Sequence, residues 1–219
     1  MALGVTITIL AVASTLFLVS LPDVGDAEAR VARVLRAHGA KDPHVIPSSR
    51  LARAVVAVED QRFYRHHGID AIGVGRSLVR SIAGSSGDSG GSTITQQLAR
   101  QLYGRGTLAD LGLALKLEFR YSKPEILEMY LSVVYYGHGQ WGADAASRAY
   151  FNKPPRQLDW AEASLLAGLL QAPSAYDPVE HFRRARARQR EVLNQLVATH
   201  VLTQRAADDA YQELDSLRH

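Results

Sequence analysis

Leu3 to Leu21 form a run of 19 residues without one charge, in a chain of 219 residues of which 21% are charged. An uncharged run of this length has one arrangement that satisfies all its backbone N–H and C=O groups from within, the α-helix. At about 1.5 Å per residue it would reach roughly 28 Å, close to the thickness of a bilayer's hydrocarbon core. A cleaved export signal is the alternative. It requires a basic stretch before the apolar run and small residues after it. The sequence opens Met1-Ala2-Leu3-Gly4 with no Lys or Arg, and Pro22-Asp23 follows the run. The expectation is therefore an uncleaved transmembrane helix over 1–22. With no base ahead of the run, flanking charge does not set its orientation.

Residues 23–44 read as a polar linker or stalk with a short helix around Ala27 to Ala37. Residues 45–219 read as a single domain. Apolar residues there recur at spacings of three and four, as in Ile126, Met129, Tyr130 and Val133, or Val192 and Leu196. Period-two alternation is rare, so a mainly α fold is expected. Glu180 to Leu217 reads as a charged pair of helices. The 47% apolar content is enough for a core, and the absence of Cys excludes disulfides, thiolate metal sites and a Cys nucleophile. Bases outnumber acids 25 to 22, and only Lys41, Lys116, Lys123 and Lys153 are lysines. The rest are Arg, which suits phosphate, pyrophosphate or anionic lipid. A net charge of +3 over this length is too weak to indicate nucleic acid.

Two short stretches carry candidate chemistry. The first runs Glu59-Asp60-Gln61-Arg62-Phe63-Tyr64-Arg65-His66-His67-Gly68. On one helix, Glu59, Phe63 and His66 share a face, and Gly68 ends it. A carboxylate beside an aromatic can have its pKa raised, as acid–base work requires. Taken alone, the stretch reads first as a surface helix with solvated acids. The second stretch follows Gly84 to Gly91, which predicts a flexible loop. It runs Ser92-Thr93-Ile94-Thr95-Gln96-Gln97-Leu98-Ala99-Arg100. Ser92 and Thr93 are N-cap candidates, and a helix N-terminus with hydroxyls is a ready anion site that Gln96, Gln97, Arg100 and Arg105 would complete. An ordinary capped helix fits the stretch equally well. Ile72, Val74, Leu78, Val79 and Ile82, with Arg76 and Arg80, suggest an amphipathic interfacial helix. The Arg cluster at 183, 184, 186, 188 and 190 reads as a solvated helix face. Trp141 and Trp160 read as packing anchors.

Together, Glu-Asp-x-x-Phe-x-x-His-x-Gly and the following Gly-x-Ser-Thr-x-Thr-Gln-Gln resemble the first two motifs of glycosyltransferase family 51, the peptidoglycan glycosyltransferases. Lys123-Pro124-Glu125-Ile126-Leu127-Glu128-Met129-Tyr130-Leu131 is similar to the fourth motif. Arg188-Gln189-Arg190-Glu191-Val192-Leu193 is similar to the fifth. The likeness covers roughly residues 45 to 215, and ordered motifs make it specific. It implies a lysozyme-like helical domain with a small membrane-associated lobe, on the outer, periplasmic face of the cytoplasmic membrane. It also implies lipid II and the growing glycan strand as substrates, with polyprenyl pyrophosphate leaving under inversion. Glu59 would be the general base. Asp60, Phe63 and His66 would shape the acceptor side, and Ser92, Thr93, Gln96 and Gln97 would line the cleft. Arg100, standing where the family has Lys, would meet the pyrophosphate. Lys123 joins this substrate-binding set. Membrane lipids and cell-wall synthesis proteins are the implied partners. No cofactor is expected to be required, and a divalent cation offsetting pyrophosphate charge stays open.

The chain departs from the family's third motif, Arg-Lys-x-x-Glu, which falls on Gly106-Thr107-Leu108-Ala109-Asp110. Both bases are missing, and the resemblance implies Asp110 as the second catalytic carboxylate. Arg105, with Lys116 or Arg120, is expected to replace the cations. Glu118 is a rival carboxylate whose plainer role is an ion pair with Lys123 or Arg120. No Ser-x-x-Lys occurs, so no penicillin-binding transpeptidase module is expected. Two other functions compete. One is a lysozyme-like hydrolase with Glu59 as general acid. The other is a weakened membrane scaffold of the wall-building complex.

Overall fold

The computed structural model describes residues 2–40, 49–73, 75, 91–104 and 106–216. The helices are α1 (Ala2–Ser20), α2 (Ala27–Ala37), α3 (Arg50–Glu59), α4 (Ile94–Tyr103), α5 (Thr107–Arg120) and α6 (Lys123–Val133). They continue as α7 (Ala143–Phe151), α8 (Trp160–Leu169), α9 (Phe182–Ala198) and α10 (Gln204–Ser216). Single 3-10 turns lie at Phe63–Arg65 and Pro155–Gln157. Among the described residues there is no strand, only an isolated bridge between Tyr135 and Trp141. The expectation of a mainly α fold is met.

The helix ends follow local chemistry. Thr93, Ser122 and Asp159 each form a reciprocal capping box with the residue three places on. Gly104 closes α4 in the left-handed conformation, with φ of 59°. Packing then sorts the helices into two groups. α8 buries every residue from Ala161 to Leu169, so it has to be surrounded, and α3, α9 and α10 surround it. A second group joins α4, α5, α6 and α2. The C-terminal end of α3 and the N-terminal half of α4 meet where the groups join, and the candidate site is there.

The segment read as a polar stalk contributes to the core. Val24, Ala27, Val31 and Leu35 are buried, and α2 packs on α6 and α4. Its helix has the expected bounds. α9 and α10 form the expected pair, but the Arg cluster is not simply a solvated face. Arg186 is buried, hydrogen-bonded to Gln189 and to the Tyr211 carbonyl. Arg186 and Arg190 lie over the Tyr211 ring at 3.8 and 3.7 Å, and Arg190 pairs with Asp208 at 2.7 Å. An aromatic ring between two guanidiniums fastens the helices together. Trp141 stacks on His38 with centroids 4.0 Å apart, in keeping with a packing role.

The expected transmembrane segment is helical, but among the described residues no helix is long and apolar enough to cross a membrane. The last turn of α1 rests on α5. A Cβ on Gly112 would fall 2.4 Å from Leu21 Cδ1 and 3.1 Å from Phe17 Cε1, so a larger residue there would push these side chains aside. Lys116 Nζ donates to the Leu21 and Pro22 carbonyls at 3.0 and 2.7 Å, placing a cation at the negative end of α1. Lys116 is therefore spent on this joint. The amphipathic segment expected from Ile72 onward and the Gly–Ser loop lie largely outside the described residues, as does Arg105.

After α6 the chain reverses through Gly137, His138, Gly139 and Gly142, all at positive φ. Tyr136 N–H donates to the Gln140 carbonyl, and Gly142 N–H to the Val134 carbonyl. At Gly142, with φ of 81°, an added Cβ would sit 2.4 Å from the Ser132 carbonyl oxygen; at Gly139, with φ of 74°, it would meet open space. Gly139→Ala should therefore cost only the backbone penalty, about 1–2 kcal/mol. Gly142→Ala should add overpacking of about 1–3 kcal/mol. Urea unfolding of the two variants checks this, and equal losses would show that the Ser132 contact is not limiting.

Candidate active site

The one-helix expectation for 59–68 fails at Asp60. α3 stops at Glu59, and Asp60 takes φ −155° and ψ 75°. The carboxylate of Asp60 explains the break. Its Oδ2 accepts from the Ile94 N–H at 3.1 Å, and both oxygens lie 2.9 Å from His66 Nε2. Continued helix would carry Asp60 away from both. Instead, the Asp60 carbonyl accepts from Phe63 N–H and the chain makes a 3-10 turn. Gly68 is left-handed, with φ of 86°, but ends no helix; its Cβ position is closed by the Ala114 backbone 3.0 Å away.

The free N–H groups at the start of α4 were expected to receive a substrate anion. One of them already holds Asp60, a carboxylate at the positive end of a helix. Thr93 and Gln96 are engaged as well. Thr93 Oγ1 accepts from Gln96 N–H at 3.2 Å and donates to the Gly68 carbonyl at 2.6 Å, while Gln96 Oε1 accepts from Thr93 N–H at 3.0 Å. Both side chains are buried, and Ser92 is half-buried. Phe63 is fully buried and His66 nearly so. Asp60, Phe63, His66, Thr93 and Gln96 thus form a packed support beside Glu59.

Glu59 and Gln97 remain. Gln97 Nε2 donates to Glu59 Oε2 at 2.9 Å, and Tyr130 Oη donates to Gln97 Oε1 at 2.9 Å. Burial pushes the Glu59 carboxyl above its ordinary value, and the nearby Asp60 charge adds to this. The Gln97 hydrogen bond and the Arg188 guanidinium act the other way without cancelling it. The carbonyl end of α3 also disfavours a negative charge there. Tyr130 and Tyr136 are fully buried, and burial with the Glu59 charge pushes both phenols up. Among the described residues, Tyr136 Oη has no hydrogen-bond partner.

The charged groups expected near a leaving group are arranged in pairs. Arg100 Nε lies 2.8 Å from Asp110 Oδ2, with the Arg side chain 52% exposed and the Asp 2%. Asp110, in the first turn of α5, therefore anchors a guanidinium whose outer face is open to solvent. Glu118 accepts from Lys123 Nζ at 2.7 Å and from Thr95, the ion-pair role read for it in the sequence. Lys123 also lies over the Phe63 ring at 4.3 Å. Among the described residues no cluster of three acids or histidines is placed to hold a metal ion.

The structure therefore brings Glu59 and Gln97 together, pairs Arg100 with Asp110, and turns Lys116 and Lys123 to other partners. Sequence reasoning missed Tyr130, Tyr136 and Arg188 as neighbours of Glu59. A Tyr within an apolar helix face reads as core, and only the adjoining motif wording marked Tyr130 and Arg188.

Residues 37–197 match the family model described as Transglycosylase. The chain is 43% identical over 169 residues to penicillin-binding protein 1A of Neisseria gonorrhoeae, an overlap of 74% of this chain and 21% of that protein. It is 39% identical over 169 residues to penicillin-binding protein 2D of Bacillus subtilis, covering 74% of this chain and 24% of the relative. A crystal structure of penicillin-binding protein 1A from Haemophilus influenzae aligns with 28% identity and a TM-score of 0.41, over 55% of this chain and 15% of that one. The chain thus spans about a fifth to a quarter of the length of these two relatives. The family model covers most of the chain, and the motif residues lie within it: the chain belongs to the transglycosylase family, glycosyltransferase family 51.

Proposed function

We propose that this chain is a peptidoglycan glycosyltransferase that polymerises lipid II into glycan strands. The observation that carries the reading is Glu59: a carboxylate made more basic by burial, held through Oε2 by Gln97. Among the described residues Oε1 has no hydrogen bond and is left for the substrate's proton. In the reaction, Glu59 takes the proton from the lipid II sugar hydroxyl as that oxygen attacks the anomeric carbon of the growing strand. Configuration inverts, and the bond to polyprenyl pyrophosphate breaks as its electron pair leaves with the pyrophosphate. Arg100, oriented by Asp110, offers its exposed donors to the departing charge. In this reading Asp110 works through Arg100 and does not itself touch the reacting atoms. The scheme draws on no cofactor, and a divalent cation would enter with the pyrophosphate as part of the substrate. The helical body is the lysozyme-like domain that the family resemblance implies.

We also infer that the domain sits on the outer face of the cytoplasmic membrane, held by α1. Val5, Ile7, Ile9, Leu10, Val12, Leu16 and Val19 of α1 are exposed. Leu108, Leu115 and Phe119, on the helix that α1 packs against, are exposed too, Phe119 at 96%. Apolar surface on that scale suits the bilayer interior and its boundary. Carbonate washing of membranes should leave the full chain in the pellet, and its release into the wash would overturn the attachment.

Positioned general-base catalysis contributes about a hundred- to ten-thousandfold. Glu59→Gln should therefore lower the rate of lipid II polymerisation at least a hundredfold. It should not lower the melting temperature at pH 7, because it removes a buried charge. Labelled lipid II reports the outcome as polymer, cleaved glycan or unchanged substrate. More than a tenth of the wild-type rate in the variant sinks the general-base role, and cleaved strands from the wild-type chain would mark a hydrolase.

Arg100→Ala should reduce kcat, as loss of a charged donor at a leaving group does, by about tenfold or more. Asp110→Ala should do so less, because the guanidinium is kept and only its aim is lost. An Asp110→Ala loss greater than that of Arg100→Ala would return Asp110 to the reacting centre.

A further inference from the structure

A primary amide has an accepting end and a donating end, and which end faces a carboxylate decides whether the contact attracts or repels. In Gln97 that choice is settled from the far side. Tyr130 is fully buried on α6, where a phenolic hydroxyl requires an acceptor. It donates to Gln97 Oε1 at 2.9 Å. With Oε1 committed, the NH2 end points to Glu59, and Nε2 lies 2.9 Å from Oε2. Rotating the amide by half a turn would set its NH2 against the phenol oxygen, leave the buried Tyr130 O–H without its acceptor, and set an oxygen against the carboxylate. The hydroxyl thereby excludes the repulsive orientation.

We propose that Tyr130 is a positioning residue for Glu59, acting through Gln97 by fixing the amide orientation that presents a donor to the carboxylate. The inference rests on the reading of Glu59 as general base. The other groups that act on Glu59 come from three directions. Asp60 follows it in the chain, Arg188 comes from α9, and Tyr136 comes from the turn after α6. Neither Asp60 nor Arg188 is touched by removing the Tyr130 hydroxyl. A donor to the ionised form lowers a carboxyl's pKa. Losing its fixed orientation should therefore raise the pKa of Glu59 and move the acid limb of the pH–rate profile to higher pH.

The test is the pH dependence of kcat for lipid II polymerisation by the full chain, with Tyr130→Phe, Gln97→Leu and the double variant. One buried hydrogen bond corresponds to about one pH unit in such a limb. Tyr130→Phe should move the limb up by about that much, with kcat below the limb falling about tenfold, KM little changed and the high-pH plateau nearly kept. Gln97→Leu should move the limb at least as far. The double variant should move it no further than Gln97→Leu alone, because both changes break one relay. Three results overturn the proposal. The first is a Tyr130→Phe limb that stays in place while kcat falls equally at every pH. The second is a double variant whose movement adds the two single ones. The third is a Tyr130→Phe chain that does not fold, since the hydroxyl would then be holding the core. Glu59→Gln separates this from failure of the underlying reading: an active Glu59→Gln removes the base itself, whereas an inactive one with an unmoved Tyr130→Phe limb removes only the relay.

Discussion

The carboxylate of Asp60 fixes the arrangement on which the rest of the site depends. It ends α3 by leaving helical geometry, holds His66, and accepts the first N–H of α4. Those contacts tie the helix group around α8 to the group around α4, α5 and α6. They also set where Glu59 and Gln97 stand, since Glu59 adjoins Asp60 in the chain and Gln97 lies one turn past Ile94. A buried carboxylate is tolerated because a helix N-terminus and an imidazole share its charge. His66 meets the ring of Phe63 edge-on, with centroids 6.3 Å apart, and Lys123 lies over that ring. The residues that the family wording places around the acceptor are, in this fold, mostly the frame that aims two side chains.

Charge is distributed on the same plan. The strongly held ions, Asp110, Glu118 and Arg186, lie inward and hold a partner. Arg100, left with exposed surface, is held from behind by Asp110. A site arranged this way meets a charged substrate without reorganising its own side chains, which is where electrostatic catalysis gains most.

Much of this was legible in the sequence. The helical class follows from apolar spacing, the bounds of α2 from its composition, the α4 cap from the hydroxyls of Ser92 and Thr93, of which Thr93 is the one used, and an ion pair for Glu118 from the bases near it, of which Lys123 is the partner. What was not legible depends on contacts between distant segments. Glu59, Phe63 and His66 keep the spacing of one helix face, so nothing local shows that Asp60 will leave the helix for an N–H 34 residues further on. The Arg-rich stretch of α9 looks solvated because its partner, Tyr211, lies on another helix. Residues 23–44 look like a stalk because Val24, Val31 and Leu35 are too few to announce a core face. Lys116 looks like a spare cation because the carbonyls it caps belong to the end of α1.

That last contact has a mechanical consequence. A helix joined to a globular body through a loose tether transmits little torque, and the body turns freely about it. Here the junction is stiff: Gly112 lets Leu21 and Phe17 seat directly on α5, and one ammonium clasps two successive carbonyls where α1 ends. Swivelling would have to break the clasp and unseat the side chains together. The body therefore follows the inclination of α1 as a blade follows its handle, and the heading of Glu59 is set by how that helix lies.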